Sequence, residues 1–356
     1  MITDLCKNIN IQQVAESRIS ELDYNNIQFG TIFSDHMLIA DFENGEWQSP
    51  QIVPYGNLAL SPATSAIHYG QSIFEGMKAY KNPQGEVVLF RPLDNFKRLN
   101  KSAVRMCMPE LPEEIFMQGL TQLLQLDNKW VPPTSGCALY LRPFMFATDD
   151  FIGVRPSSRY KFIIFSCPVN KYYAAPLRVK IEQQYVRSVE GGAGFAKAAG
   201  NYGAALYPAK LAQENGYHQL IWTDAYEHKY IEESGTMNIM FVIGDKLITP
   251  ALSTSILAGI TRDSVLTLAR DWGMTVEERK VSIDEVIEAQ QNGTLKEAFG
   301  VGTAATIAPI QVIGYKDQDY ELPEIETREF SNKVAHELEQ IRTGQAPDPY
   351  GWIYKV

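Results

Sequence analysis

The sequence predicts a two-domain α/β chain (α+β type) with mixed sheets and flanking helices. Three observations predict it. β-Branched and aromatic residues alternate with polar ones around Asn/Gly turns, which is the pattern of strands and hairpins. Apolar residues recur at three- and four-residue spacing in other stretches, which is the helical pattern. Periodicity lapses over Val169–Pro176, where Pro176 ends a plausible connection between domains. With 356 residues, the chain is long enough for a substantial core on each side. The expected division is a small N-terminal domain over 1–168, a connection over 169–176 and a larger domain over 177–356.

Residues 1 to about 28 are polar and weakly periodic, so an irregular arm is expected there. Phe29 to Phe42 reads as strand, with Glu43-Asn44-Gly45-Glu46 as a hairpin turn. A second hairpin runs from Phe74 to Tyr80, turns at Asn82-Pro83-Gln84-Gly85 and returns to Phe90. Pro92 suits the first position of a helix with Phe96, Leu99, Ala103 and Val104 on its apolar side. Pro112 to Trp130 is a second helix, carrying Ile115, Leu120, Leu123 and Leu124, and Pro132-Pro133-Thr134-Ser135-Gly136 breaks it. Two strongly apolar segments follow, Ala138–Ala147 and Tyr160–Cys167, the first interrupted by Arg142.

The second half opens on a strand pattern, Leu177–Val186. Strands are expected at Gln219–Thr223, Lys229–Glu232 and Asn238–Ile243, the last turning at Gly244-Asp245. Thr261–Trp272 is helical, with Val265, Leu268, Ala269 and Trp272 on one side. Ser282–Gln291 is another helix, opened by a Ser-Ile-Asp-Glu capping box and closed by Asn292-Gly293. The last long helix runs from about Thr327 to Ile341.

Composition narrows the function. A formal charge of −10 and the absence of any basic run argue against a phosphate-tracking nucleic-acid surface. No apolar run approaches the length of a membrane span, and the first residues lack the apolar core of a secretory signal. The four cysteines are scattered without a C-x-x-C pair, which points to reduced thiols and a cytoplasmic protein. The histidines show no H-x-x-x-H spacing, so no metal centre is expected.

The stretch that stands out is Gly191-Gly192-Ala193-Gly194-Phe195-Ala196-Lys197-Ala198-Ala199-Gly200-Asn201-Tyr202-Gly203. It is small and apolar, unlike a solvated linker, and a helix over Ala204–Ala212 is expected to follow. Glycine costs backbone entropy on ordering, so such a stretch belongs where backbone must approach something closely. Lys197 would be desolvated there. Desolvation favours the neutral amine, the form that attacks carbonyl carbon.

If Lys197 holds a phosphorylated aldehyde cofactor, the chain must also supply a phosphate cup and partners for its ring. Gly259-Ile260-Thr261 leads straight into a helix, whose first amides face outward at the positive end. Gly300-Val301-Gly302-Thr303-Ala304-Ala305 is a small-residue turn after an apparent strand. Arg91, between a strand and a helix, offers a guanidinium. Each segment alone reads equally as ordinary capping or turn chemistry. Glu232 and Glu233 are adjacent on an extended stretch, so only one can point inward. A buried carboxylate needs a cation; a protonated ring nitrogen or a structural arginine would each serve.

Taken together these residues resemble the branched-chain-amino-acid aminotransferases. The resemblance rests on Lys197 with Gly200-Asn201-Tyr202-Gly203, Glu233-Ser234-Gly235-Thr236-Met237-Asn238, Gly259-Ile260-Thr261-Arg262 and Gly302-Thr303-Ala304. The first half adds Phe29-Gly30-Thr31, Phe33-Ser34-Asp35-His36-Met37, His68-Tyr69-Gly70, Phe74-Glu75-Gly76-Met77-Lys78-Ala79, Leu89-Phe90-Arg91-Pro92 and Tyr140-Leu141-Arg142-Pro143. The match spans nearly the whole chain in order. It implies a fold-type IV enzyme of the D-amino acid aminotransferase-like fold, dependent on pyridoxal 5'-phosphate. The implied reaction is ping-pong transamination of L-leucine, L-isoleucine or L-valine with 2-oxoglutarate through a Schiff base on Lys197.

Roles follow from the resemblance. Lys197 would carry the cofactor and move the proton at the substrate Cα. Glu233 would face the pyridine nitrogen and Tyr202 the cofactor O3′. Arg91, Ile260, Thr261 and Thr303 would hold the phosphate, with Arg187 close by. Substrate carboxylate would meet Tyr140 and the Thr303-Ala304 backbone. The branched side chain would fill a pocket of Phe29, Tyr69, Phe74, Tyr173 and Thr236, with Ile152 and Val154 arriving from the second subunit of a homodimer. Arg142 would read the second carboxylate of glutamate. Where the animal enzymes carry a redox-active C-x-x-C after Gly302-Thr303-Ala304, this chain has Ala305-Thr306-Ile307-Ala308, so thiol switching is not expected. The competing readings are a D-amino acid aminotransferase, an aminodeoxychorismate lyase and a non-catalytic cofactor carrier. The apolar pocket and Arg142 speak against the first two, and the intact site against the third.

Overall fold

The computed structural model describes residues 6, 9–23, 27–134, 136–170 and 176–356. The elements of the first half run in chain order as β1 (Asn10–Ile11), β2 (His36–Glu43), β3 (Glu46–Trp47), β4 (Gln51–Pro54), α1 (Ser65–Tyr69), β5 (Ser72–Phe74), β6 (Met77–Lys81), β7 (Val87–Phe90), α2 (Pro92–Arg105), α3 (Glu113–Leu126), β8 (Ala138–Ala147) and β9 (Tyr160–Val169). The second half holds β10 (Leu177–Ile181), α4 (Ala199–Ala204), α5 (Leu206–Glu214), β11 (Gln219–Thr223), β12 (Tyr230–Ser234), β13 (Met237–Ile243), β14 (Lys246–Pro250), α6 (Ile260–Asp271), β15 (Thr275–Arg279), β16 (Val281–Ser282), α7 (Ile283–Gln291), β17 (Leu295–Gly302), β18 (Thr306–Tyr315), β19 (Gln318–Glu321), α8 (Glu329–Arg342) and β20 (Ile353–Lys355).

These elements fall into two units. The first comprises Met1–Tyr172, Ala196–Ala199 and Glu339–Val356, the second Tyr173–Phe195 and Gly200–Leu338. The connection expected over 169–176 lies largely outside the described residues.

The first unit is built on one sheet in the order β1-β4-β2-β9-β8-β6-β7-β20, with β3 beside β2 and β5 beside β8. Its centre is the long β8–β9 pair, in register from Ala138 opposite Val169 to Ala147 opposite Tyr160. α3 buries Ile115, Phe116, Leu120, Leu123 and Leu124, all at 0% exposure, in the same core cluster as Leu38 and Phe162 of the sheet. Burying five side chains of this size stabilises the unit by about 1.5–3 kcal/mol each. The single helix expected over Pro112–Trp130 ends at Leu126 and gives way to a 3-10 turn at Asn128–Trp130. There Trp130 Nε1 reaches Asp35.

The N-terminal arm is less irregular than expected. Asn10 and Ile11 pair in parallel with β4, and Ser17 Oγ and the Arg18 amide donate to Asp35 at 2.5 and 2.9 Å. Burial pushes the Asp35 carboxyl up, but the hydrogen bonds from Ser17, Trp130 and Arg18 outweigh it and hold it below the usual value. A lowered folded-state value stabilises above the unfolded one, about pH 4, and the gain is lost as pH falls through the folded value. Asp35→Asn is therefore expected to lower urea stability at pH 7, with the gap to the parent chain closing as pH falls through the folded value. A gap that persists unchanged into strong acid would count against this account.

The second unit carries a sheet in the order β15-β14-β13-β17-β18-β10-β11-β12-β16, with β19 beside β18. β12 also pairs with β13, so the strands from β13 round to β12 close into a ring. β10 runs parallel to both β11 and β18, and most other pairs are antiparallel. Both sheets are mixed and flanked by helices, as the sequence predicts. Ser282 Oγ accepts the Glu285 amide at 3.1 Å, the expected cap of α7.

Two strand boundaries and one helix face differ from expectation for visible reasons. Strand begins at His36, not Phe29, whose side chain is 57% exposed. The strand expected over Leu177–Val186 stops at Ile181, because Glu182 Oε1 accepts the amides of Gln183, Gln184 and Tyr185 and turns the chain. Val104 is 61% exposed, because α2 buries Asn95, Arg98, Leu99, Ser102 and Ala103 instead.

Candidate active site

In the first unit, chemistry gathers around Lys197. Ala198 bridges to Ile73, the Phe74 amide donates to the Lys197 carbonyl at 3.0 Å, and the Lys197 amide donates to Ser102 Oγ at 2.9 Å. The lysine backbone is thus held by an edge strand and a helix, while its half-buried amine lies 5.0 Å from the Phe74 ring centre.

Tyr140 and Arg142 stand two residues apart on β8, so their side chains share a face. Arg142 Nη2 donates to the Tyr140 hydroxyl at 3.0 Å. Its guanidinium carbon lies 4.8 Å from the Phe74 ring centre and 5.4 Å from that of Tyr140, and Phe29 packs edge-on to Tyr140 at 5.1 Å. Arg142 Nε is buried without a hydrogen-bond partner. A side chain at Gly76 would overlap the Tyr140 ring, so glycine there is required by packing.

Other predicted residues lie on other segments of this unit. Arg91 takes the left-handed conformation, φ 53°, between β7 and α2. Its Nε pairs with Asp94 at 2.7 Å and its guanidinium lies over Trp352. Tyr69 ends α1 at 41% exposure, and Ile152 and Val154 are 66% and 90% exposed after β8. Tyr173 lies outside the described residues.

In the second unit, β12 turns Glu233 inward and leaves Glu232 partly exposed. Glu233 forms an ion pair with Arg187. Its other oxygen accepts Asn238 Nδ2 at 3.0 Å and the Leu257 amide at 3.3 Å. Arg187 Nη2 is fixed in turn by the carbonyls of Gly194 and Ser255. Arg187, Tyr202, Glu233, Gly235, Thr236 and Leu257 face a small cleft. Glu232 instead accepts Ser255 Oγ at 2.5 Å; burial pushes its carboxyl up, the serine bond and Arg187 only partly offsetting this.

Gly259 is the N-cap of α6 and offers no side-chain acceptor, leaving Ile260 and Thr261 as the first helical residues. A side chain at Gly259 would overlap Asn238 Oδ1, so the approach of this loop to the Glu233 network demands glycine. Thr303 and Ala304 occupy the turn between β17 and β18. Among the described residues, no cluster of three or more His, Cys, Asp or Glu is placed to hold a metal ion. No helix among them is long and apolar enough to cross a membrane.

Sequence reasoning missed Asn95, Arg98 and Ser102, which face Glu75 and the lysine backbone. Their spacing of three and four was a readable signal, since it puts three polar residues on one helix face. Asn238 was quoted only as part of a motif, and nothing local marks it as the residue joining Glu233 to the Leu257 loop.

The description of amino-transferase class IV matches residues 72–313. The chain is 44% identical to branched-chain-amino-acid aminotransferase 2 of Bacillus subtilis (strain 168), over 94% of this chain and 93% of that protein. It is 46% identical to a probable branched-chain-amino-acid aminotransferase of Staphylococcus epidermidis, over 96% of each. Among solved structures, the branched-chain amino acid aminotransferase from Escherichia coli superposes with a TM-score of 0.73 at 26% identity, covering 90% of this chain and 98% of that one.

Proposed function

The chain belongs to the class IV amino-transferases, among the branched-chain-amino-acid aminotransferases, and from that premise we propose that it moves the amino group of L-leucine, L-isoleucine or L-valine to 2-oxoglutarate in a ping-pong cycle. The observation that carries the two-substrate reading is Arg142. Its guanidinium is lodged against Phe74 and Tyr140, with Nε buried and without a hydrogen-bond partner. A branched side chain finds apolar ring surface there, and a second carboxylate finds a charged donor already in place.

The residues present fit pyridoxal 5'-phosphate: a lysine with a fixed backbone, a charge-paired carboxylate beside a tyrosine in a cleft, and a helix start capped by glycine. Bound, this cofactor supplies an electron-withdrawing ring that stabilises negative charge at the substrate Cα. Glu233, backed by Arg187, would hold the ring nitrogen protonated, and Tyr202 would donate to the ring oxygen. Arg91, Thr303 and the Ile260 and Thr261 amides would hold the phosphate. Lys197 carries the proton at Cα. Tyr140 and the Thr303-Ala304 backbone orient the substrate carboxylate, and Phe29, Tyr69, Phe74, Tyr173 and Thr236 exclude water from its side chain.

We place two chains in the active species, the exposed apolar Ile152 and Val154 of each covering the partner's pocket. We infer a cytoplasmic protein from cysteines that are scattered along the sequence without a C-x-x-C pair.

The test separates the two substrates. In Arg142→Met, kcat/KM for 2-oxoglutarate is expected to fall about 10- to 150-fold, the worth of a hydrogen bond to a charged group. That for L-leucine should change far less. Equal losses for both substrates, or turnover of D-alanine in place of L-leucine, would overturn the reading.

A further inference from the structure

β13 carries Asn238, buried at 5% exposure, where three segments of the second unit meet. Its backbone stands opposite Glu233 of β12 on one side. On the other it stands opposite Val301 of β17, shortly before Thr303. Its side chain reaches the third segment. Nδ2 donates to Glu233 Oε1 at 3.0 Å and to the Leu257 carbonyl at 2.8 Å, while the Leu257 amide donates to the same Glu233 oxygen at 3.3 Å. Asn238 and Glu233 together therefore hold both backbone polar groups of Leu257.

An asparagine amide has two N–H donors, and these bonds use both, which turns Oδ1 the other way. It lies there against Gly259, where a side chain would overlap it. Gly259 has φ −70°, a conformation open to any residue, so the amide and not the backbone demands glycine. One side chain thus pins the turn at Leu257 and again at Gly259, and Ile260 and Thr261 follow at once as the first residues of α6. A satisfied buried amide can simply secure a loop. This one also fixes a spacing, between an acid on β12 and the start of a helix reached through another loop. A ligand with two linked anchors gains the full worth of the second only where the two sites already stand at the right distance.

We propose that Asn238 is a positioning residue for the cofactor: it holds the Glu233 carboxylate and the start of α6 at a fixed spacing, so that ring and phosphate are bound together. The inference rests on the reading that Glu233 serves the ring nitrogen and the Ile260 and Thr261 amides the phosphate. It adds the residue that makes those two anchors act as one.

The experiment titrates the full chain, freed of cofactor, with pyridoxal 5'-phosphate and with pyridoxal, which lacks the phosphate, by quenching of tryptophan fluorescence. The quantity read is the ratio of the two dissociation constants, which is the advantage the phosphate brings. In Asn238→Ala that advantage is expected to shrink about 10-fold, the lower range for a lost hydrogen bond to a charged group, with pyridoxal binding changed less. Gly259→Ala drives a methyl group into Oδ1 and leaves the strand intact, so it should shrink the advantage by a similar factor. It also keeps the test open if Asn238→Ala does not fold. The two changes combined should lose little more than Asn238→Ala alone, because alanine at 238 frees the space the methyl needs. A purely structural asparagine would lower the urea midpoint and leave the advantage at the parent value in every folded variant. That result overturns the proposal, as does a double variant whose losses multiply. Ile260→Pro deletes one amide at the helix position that best tolerates proline. Parent-level affinity for pyridoxal 5'-phosphate in both Ile260→Pro and Glu233→Gln would remove the premise instead, so the two failures read differently.

Discussion

Lys197→Ala is expected to lower kcat for L-leucine with 2-oxoglutarate on the order of 10⁴-fold, the upper range for a residue that transfers the proton in the rate-determining step. The Phe74 ring, whose centre lies 5.0 Å from the amine, cannot take over its proton transfer. Folding should be spared. The contacts that hold position 197 are its amide to Ser102 Oγ and its carbonyl to the Phe74 amide, and alanine keeps both. The denaturation midpoint is therefore expected to stay close to that of the parent chain while activity disappears. Lys197→Arg should be nearly as inactive, since a guanidinium does not give up its proton at neutral pH. Normal turnover in either folded variant would remove Lys197 from the mechanism.

Local chemistry made much of this chain legible. The hairpin joining β6 to β7 and the cap of α7 follow from Asn82-Pro83-Gln84-Gly85 and from Ser282 with Glu285, because turns and caps are decided by residues close in sequence. α2 shows where that legibility ends. Its apolar residues gave the right helix, but the inward side is set by Glu75, which only the folded sheet brings opposite Arg98. β20 had no local signal at all. Three residues near the C-terminus become a strand because β7 offers them an open edge at Val88 to Phe90. At the candidate site, alternation along β12 showed that one of Glu232 and Glu233 must point inward. That Arg187 meets Glu233 is a contact between distant segments, which no window on the sequence contains.

Glu233→Ala is expected to be the most damaging single change in the second unit, in stability as well as in rate. The Glu233 and Arg187 side chains are 4% and 9% exposed and form an ion pair. Removing the carboxylate leaves a buried guanidinium without its paired carboxylate, hydrogen-bonded to the Gly194 and Ser255 carbonyls at 2.9 and 2.8 Å. Breaking one side of such a pair costs about 3–5 kcal/mol, read as a lower midpoint in urea. The Leu257 N–H loses its bond to Glu233 and Asn238 Nδ2 one of its two, keeping that to the Leu257 carbonyl, which loosens the loop that leads into α6. Glu233→Gln keeps the shape and an acceptor oxygen, so its stability loss should be smaller. Its rate should still fall by about 10²-fold, because a neutral amide cannot hold a protonated ring nitrogen as a carboxylate does. Glu233→Leu with Arg187→Met separates the two effects, since an apolar pair of similar volume restores much of the stability and none of the activity. If Glu233→Gln instead turns over at the parent rate, the carboxylate serves the fold alone, and the partner of the ring nitrogen must be sought elsewhere in the cleft.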